Sequence, residues 1–293
     1  MPLSISAEDA QAMIARSYLF VPGDRPDRFD KACAAGADAV IVDLEDAVAP
    51  ENKKAARAAI TNWLSADKNI LLRINAETTE WFRDDLTVAR APGVAGILLS
   101  KAESIDGVLQ ALCAEQHKFL LPQIETAQGF ANAQAMASVA GVQRLLFGTL
   151  DFQMDLGIDG EREELDYFRS QMVLISRLAQ IQPPVDGPCT ALDDAARLSA
   201  DAHRARRLGF GGKLCIHPRQ VAHVNAAFAP TADELSWARR VMAAAAESKG
   251  AAVALDGRMV DRPVILKAEQ IVDEAERRIH LTPRSLQQAG EGA

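Results

Sequence analysis

Leu120-Leu-Pro-Gln-Ile-Glu-Thr126, a stretch of helical character, and then Leu145-Leu-Phe-Gly-Thr-Leu-Asp-Phe152 decide how this chain is read. Both halves share one design. A short apolar run ends in a small or turn-favouring residue, and a single carboxylate, Glu125 or Asp151, stands just beyond it. If the two runs are neighbouring parallel strands, both carboxylates lie at the C-terminal edge of one sheet. Such a pair suits a hard divalent cation, which takes few protein oxygens and keeps several waters. Two solvated helix N-caps after strands are the plainer reading, and spacing alone favours them over the metal.

The same unit recurs in both directions. Apolar runs over 18–22, 39–43, 70–74, 94–99, 119–124, 145–147, 185–188 and 213–216 read as eight strands. Helical segments are expected from Pro26 onward, with Phe29, Ala32 and Cys33 inward, and over 52–64, 84–90, 104–113, 129–137, 167–180, 193–208 and 221–228, with 151–159 a loop. A further short helix is expected over 6–15. Short strands alternating with helices indicate an α/β fold, and eight of them favour a closed TIM (β/α)8 barrel over an open sheet. No glycine-rich fingerprint follows the first strand, which argues against a dinucleotide fold. The barrel is expected to occupy 1–229. Residues 230–293 form a mainly helical C-terminal extension, with helices over 233–249 and 263–279 around a hairpin turning at Asp256-Gly257.

The whole-chain totals narrow the function. With 32 Lys and Arg against 40 Asp and Glu, the formal charge is -8, which disfavours nucleic acid as a partner. Cys33, Cys113, Cys189 and Cys215 lack metal-ligand spacing and form no disulfide framework, so a reducing, cytoplasmic setting is expected. Cys33 and Cys113 read as helix-face core and Cys215 as strand core. Neither a secretory signal nor a bilayer-spanning segment is read, so no membrane partner is expected.

At the C-terminal strand ends, where barrel active sites lie, stand Arg25, Asp43, Glu45, Asp46, Arg73, Asn75, Lys101, Glu103, Glu125, Asp151, Lys213 and His217. Glu45 or Asp46 is expected to pair with Lys101. Arg73 can offer its planar fork to a carboxylate. A metal on Glu125 and Asp151 beside that arginine suits a small 2-keto or 2-hydroxy acid, since a polarised keto oxygen favours carbon–carbon bond making or breaking next to it. Lys101 and Lys213 remain Schiff-base candidates. His217 reads as a hydrogen-bonded spacer. Asp261 reads as an acidic turn before a helix.

Several ordered motifs carry a family resemblance. They are Arg16-Ser-Tyr-Leu-Phe-Val-Pro-Gly-Asp-Arg-Pro26, Gly36-Ala-Asp-Ala-Val-Ile-Val-Asp-Leu-Glu-Asp-Ala-Val48, Leu72-Arg-Ile-Asn75 and Lys101-Ala-Glu-Ser104, then Ile124-Glu-Thr126, Phe147-Gly-Thr-Leu-Asp151, Gly209-Phe-Gly-Gly-Lys-Leu-Cys-Ile-His-Pro218 and Gly257-Arg-Met-Val-Asp-Arg-Pro263. Across nearly its whole length the chain resembles the citrate lyase beta-subunit-like proteins, grouped with the malyl-CoA and citramalyl-CoA lyases among the HpcH/HpaI-type aldolases. Ser100 departs from the resemblance, standing where many relatives have proline, and Gln123 falls where they vary.

The resemblance implies a homo-oligomeric enzyme, a trimer or hexamer, that cleaves a 3-hydroxyacyl-CoA thioester to acetyl-CoA and a 2-keto acid. It implies magnesium, with manganese tolerated, on Glu125 and Asp151. Arg73 is implied to grip the substrate carboxylate, with Asp43, Glu45 and Asp46 as a supporting acidic cluster. Arg25 and Lys101 become candidates for coenzyme A contacts. Asp261 is implied to enter the neighbouring subunit's site and to exchange a proton with the acetyl carbon. The alternatives are a citrate lyase beta subunit working on a carrier-bound citryl group with alpha and gamma partners, a metal aldolase on free keto acids, and a non-catalytic barrel.

Overall fold

The computed structural model describes residues 15–113, 119–247 and 253–281. All but Ala15 of the helix expected over 6–15 lies outside them, as do positions 248–252. The strands are β1 (Ser17–Pro22), β2 (Ala39–Asp43), β3 (Ile70–Ile74), β4 (Val94–Leu99), β5 (Phe119–Ile124), β6 (Leu146–Phe147), β7 (Val185–Asp186) and β8 (Gly212–Cys215). All eight run parallel in chain order, and β8 pairs back onto β1 through Ser17 and Lys213, closing the barrel. The fold class expected from the alternating pattern is the one observed.

Helices fill the crossovers: α1 (Phe29–Cys33), α2 (Lys53–Trp63), α3 (Phe82–Ala89), α4 (Ile105–Cys113), α5 (Ala127–Ala137), α6 (Thr149–Leu156), α7 (Asp166–Leu178), α8 (Ala195–Leu208) and α9 (Pro218–Phe228). Their caps are local chemistry. Thr126 accepts the Gly129 N–H to open α5, and Asp194 accepts the Arg197 N–H to open α8. Gly209, at φ 101°, closes α8 in the left-handed conformation that favours glycine.

Two apolar layers hold the barrel. Val40, Val42, Leu72, Ile97, Leu120 and Phe147 pack outward under the helices. Tyr18, Ile41, Leu71, Leu98, Leu121, Leu146, Val185 and Leu214 fill the interior. Because a strand's side chains alternate, the residues two further along β1, β2, β3 and β5 point inward one layer higher. Those residues are Phe20, Asp43, Arg73 and Gln123, and they line the barrel's mouth. At the opposite end Arg144 is fully buried and donates to Pro183 O, Ala15 O and the Tyr18 hydroxyl at 2.7–2.9 Å.

Three local expectations are corrected. Residues 151–159 are not all loop, because α6 runs through Leu156. Phe152 explains it: the ring is wholly buried against Phe130, Phe147 and Phe168 at centroid distances of 5.8, 5.1 and 4.8 Å, which pins one face of a helix. Cys33 and Cys113 are exposed, not core; Phe29 and Ala32 take the buried face of α1, and Cys33 stands one residue round from it. Helix α9 starts at Pro218 rather than Val221, since proline suits a first helical position.

The described residues fall into two compact units that meet in sequence between Phe228 and Ala229. The second unit holds α10 (Ala232–Glu247), β9 (Val253–Leu255), β10 (Arg258–Val260) and α11 (Arg262–Leu281). Strands β9 and β10 form an antiparallel hairpin whose turn residues Asp256 and Gly257 have φ of 51° and 73°, the mirror-image turn expected of that dipeptide. Ala238, Val241, Val260, Ala268 and Ile271 form this unit's own core. Among the described residues no helix is long and apolar enough to cross a membrane.

On the outer face of the barrel wall, under α7, Asp186 is buried between two cations, accepting from Lys213 Nζ at 2.8 Å and Arg169 Nε at 2.9 Å. This ion pair takes Lys213 out of the Schiff-base candidates. Burial pushes the Asp186 carboxyl up, but Lys213 and Arg169 together outweigh it and hold the group below its ordinary value. A depressed carboxyl contributes stability above the unfolded pKa of roughly 4 and loses it as pH falls through the folded value. Asp186→Asn leaves the buried Lys213 without its carboxylate partner and Arg169 with only Asp166, 3.8 Å away, and is expected to cost about 3–5 kcal/mol at neutral pH. In urea titrations at several pH values, the gap to wild type should be widest near pH 7 and shrink below about pH 4.

Candidate active site at the barrel mouth

The mouth is organised by Arg73. The guanidinium, 8% exposed, donates through Nε and Nη2 to the two oxygens of Asp43, both at 2.6 Å, and its Nη1 lies 3.0 Å from Glu45 Oε2. The face of Phe20 lies 4.7 Å away. The fork that the sequence reading offers to a substrate carboxylate is therefore taken by Asp43. What Arg73 presents to the cavity is the rest of its edge, since three of its five N–H groups are engaged.

Asp43 also fixes the loop that follows it. Its Oδ1 accepts the Glu45 N–H at 2.8 Å and its Oδ2 the Ala47 N–H at 3.3 Å. From below, the buried Lys53 donates to Leu44 O and Glu45 O at 2.8 and 3.1 Å and lies over the Trp81 ring. Asn75 donates to Leu44 O at 2.9 Å and is itself held by Asp85. The sequence reading missed Lys53, because a lysine in a helix looks like a solvated one until the fold buries its head.

Lys101 follows β4 and Ser100, whose hydroxyl donates to Ile74 O at 2.6 Å. The Lys101 ammonium pairs with Glu45, lies 3.2 Å from Asp46 and stands 3.8 Å from Asp151 Oδ1. The expected pairing is thus made with both acids. Its backbone N–H donates to Glu125 Oε2 at 2.9 Å.

Glu125 and Asp151 follow the paired strands β5 and β6, whose register aligns Ile124 with Phe147. Glu125 is 1% exposed, and its Oε1 is buried without a hydrogen-bond partner. Burial pushes its carboxyl up to about 8, Arg73 opposes that, and Glu45 and Asp151 add to it. The space beside it depends on Gly148, where a Cβ would overlap the carboxylate. Asp151 sits in the first turn of α6 with about a third of its side chain exposed. An unpartnered buried oxygen beside a second carboxylate fits a hard cation, which needs only one or two protein carboxylates. No cluster of three or more such ligands occurs among the described residues.

Phe20, Asp43, Arg73, Gln123, Thr149 and Asp151 are among the residues lining a cavity of about 270 Å³ that opens at this mouth. Gln123 was not read as a site residue. It is 3% exposed with its Oε1 unpartnered, and its position two residues before Glu125 on one strand was the available signal.

The other candidates have local partners of their own. Arg25 is forked onto Asp27 at 2.9–3.0 Å on an exposed loop. Glu103 accepts the Thr126 hydroxyl at 2.7 Å. His217 accepts the Arg219 N–H at 3.1 Å at the head of α9, the spacer role read for it. Asp261 belongs to the second unit, where its Oδ1 accepts the Val264 N–H at 3.4 Å at the start of α11.

Comparison with known proteins identifies the chain's family. The family described as HpcH/HpaI aldolase/citrate lyase matches residues 16–218. A citrate lyase subunit beta-like protein of Deinococcus radiodurans is 36% identical, with 90% of this chain and 98% of that protein aligned. A (3S)-malyl-CoA thioesterase of Cereibacter sphaeroides is 34% identical over 91% of this chain and 96% of its own length. The crystal structure of CitE from Mycobacterium tuberculosis in complex with magnesium, acetoacetate and coenzyme A superposes with a TM-score of 0.81 at 33% identity, covering 90% of this chain and 99% of that one. With the family matched over the barrel and relatives above 30% identity along nearly its whole length, the chain belongs to the HpcH/HpaI aldolase/citrate lyase family of carbon–carbon lyases.

Proposed function

We propose that the protein is a magnesium-dependent lyase that cleaves a short 3-hydroxyacyl-CoA carrying a terminal carboxylate, releasing acetyl-CoA and a 2-keto acid. The buried, unpartnered Oε1 of Glu125, which lies against Gly148 in the wall of the mouth that Arg73 and Asp151 line, carries the reading. The CitE structure with magnesium, acetoacetate and coenzyme A on a similar chain supports it.

Glu125 and Asp151 would hold the cation, which when bound supplies positive charge to the substrate oxygen that gains electron density. The free edge of Arg73 grips the substrate carboxylate, while Asp43 and Glu45 keep the guanidinium from swinging away. A carboxylate of the acidic cluster, Asp46 at the cavity wall, takes the proton of the substrate hydroxyl, whose oxygen becomes the keto oxygen as the adjacent carbon–carbon bond opens. The electron pair goes to the carbon next to the thioester, leaving an enolate. Asp261 of a neighbouring copy returns a proton to that carbon, so a trimer or hexamer is the working form. Arg25 is assigned to the coenzyme A phosphates, because its pair with Asp27 is exposed and readily exchanged. Lys101 is left out of that contact, its ammonium being engaged by Glu45 and Asp46.

The similarity to a (3S)-malyl-CoA thioesterase favours one second reading, hydrolysis of the thioester at the same mouth. Product analysis separates the two. With malyl-, citramalyl- and citryl-CoA and magnesium, the lyase yields acetyl-CoA and a keto acid, and hydrolysis yields free coenzyme A and the hydroxy acid. Neither product from any of them would overturn the proposal and point to a carrier-bound substrate or a partner complex.

Two variant sets extend the test. Glu125→Gln and Asp151→Asn should each lower kcat/KM at least about a hundredfold and abolish measurable magnesium binding by calorimetry, with melting behaviour retained. Asp261→Asn and Glu125→Gln chains are each expected to be inactive. Co-expressed, they should recover about a quarter of wild-type activity by random assortment of subunits, if Asp261 serves a neighbour's site. Recovery no greater than either variant alone would remove the shared-site assignment.

A further inference from the structure

Lys101 is a non-glycine residue at φ 45°, a conformation L side chains rarely adopt and one that persists only when its surroundings impose it. Two sets of contacts impose it here. The backbone N–H is aimed at Glu125 Oε2, at 2.9 Å, and the side chain leaves in another direction, towards Glu45, Asp46 and Asp151. One residue therefore touches both carboxylates assigned to the cation, one through its backbone and the other through its charge.

These contacts have opposite consequences for a divalent cation. The backbone N–H holds Glu125 Oε2 and leaves Oε1 as the unpartnered oxygen, which favours binding. The ammonium, 3.8 Å from Asp151 Oδ1, places a positive charge where it repels any cation on that carboxylate. It also neutralises Glu45 and Asp46, which would otherwise add to the attraction.

The geometry points to Lys101 as a positioning residue that orients Glu125 through its backbone and, through its ammonium, deliberately weakens the site's hold on the metal. The inference rests on the metal reading proposed above. Its consequence is that the protein carboxylates alone bind the cation loosely, and the negative charge of an incoming carboxylate substrate makes up the difference. Lys101 then couples metal binding to substrate binding without touching either reacting carbon.

The sign of one measurement decides this. Manganese binding to the full-length protein is followed by electron paramagnetic resonance for wild type, Lys101→Met, Lys101→Gln and Lys101→Arg, with melting curves as a check on folding. Removing the charge while keeping the side-chain stem should tighten manganese binding about tenfold in Lys101→Met. Lys101→Gln should shift the same way, and Lys101→Arg, which keeps the charge, should stay close to wild type. A purely supporting lysine gives the reverse, because a disordered acidic loop loosens the metal. Binding that is unchanged or weaker in both Lys101→Met and Lys101→Gln overturns the inference. Failure of wild type and all the Lys101 variants alike to bind manganese overturns the metal reading itself, whereas binding that Glu125→Gln abolishes but that neither Lys101→Met nor Lys101→Gln tightens overturns the inference alone, so the two failures are distinguishable.

Discussion

Burying the Arg73 guanidinium inside the barrel mouth is tolerable only because Asp43 and Glu45 surround it, and the rest of the site follows from that compensation. An unpaired cation at this depth would cost several kcal/mol, so Asp43 has to be there. Once it is, its oxygens also accept the Glu45 and Ala47 N–H groups, which turns the loop after β2 across the mouth. Glu45 is thereby placed to meet both Arg73 and Lys101. Lys101 in turn reaches Glu125 through its backbone. The charged groups form one connected network rather than a set of separate pairs.

That network needs a firm floor, and the barrel's own periodicity supplies it. Tyr18, Ile41, Leu71 and Leu121 form an apolar layer across the interior, and the residues two further along the same strands are Phe20, Asp43, Arg73 and Gln123. The change from apolar to polar within one step of the pleat keeps water out below and gathers charge above. Helix α6 does comparable work on the other side of the mouth. Phe152 is locked among three other phenylalanine rings, so Asp151, its neighbour in sequence, is carried on a fixed helix rather than on a loop.

Much of this was legible in the amino-acid order. Strand alternation with helices was visible because parallel strands buried on both faces read as continuous apolar runs, as in Val40-Ile-Val and Leu71-Leu. The rim acids and bases were visible because a barrel presents whatever follows each strand. The partners of those groups were less legible. Arg73 read as a free fork, yet its Nε and Nη2 meet Asp43, thirty positions away in sequence. Lys53 drew no reading at all within its helix, yet its ammonium lies beneath the acidic loop. Gln123 carried no signal beyond its place two residues before Glu125.

The chain's own sequence, then, determined the eight-fold repeat, the strand ends and the types of charged group offered there, since these depend on periodicity and on nearest neighbours along the backbone. Only the tertiary structure decided which of those charges meet, which are buried and which oxygen is left without a partner. Closure of the barrel sets the distances between residues far apart in sequence. It also removes the water that would otherwise have made each charge independent of the rest. The raised carboxyl of Glu125 shows the difference: its position could be read from a short motif, but its burial beside Gly148 and the charges of Arg73, Glu45 and Asp151 exist only once the strands are joined.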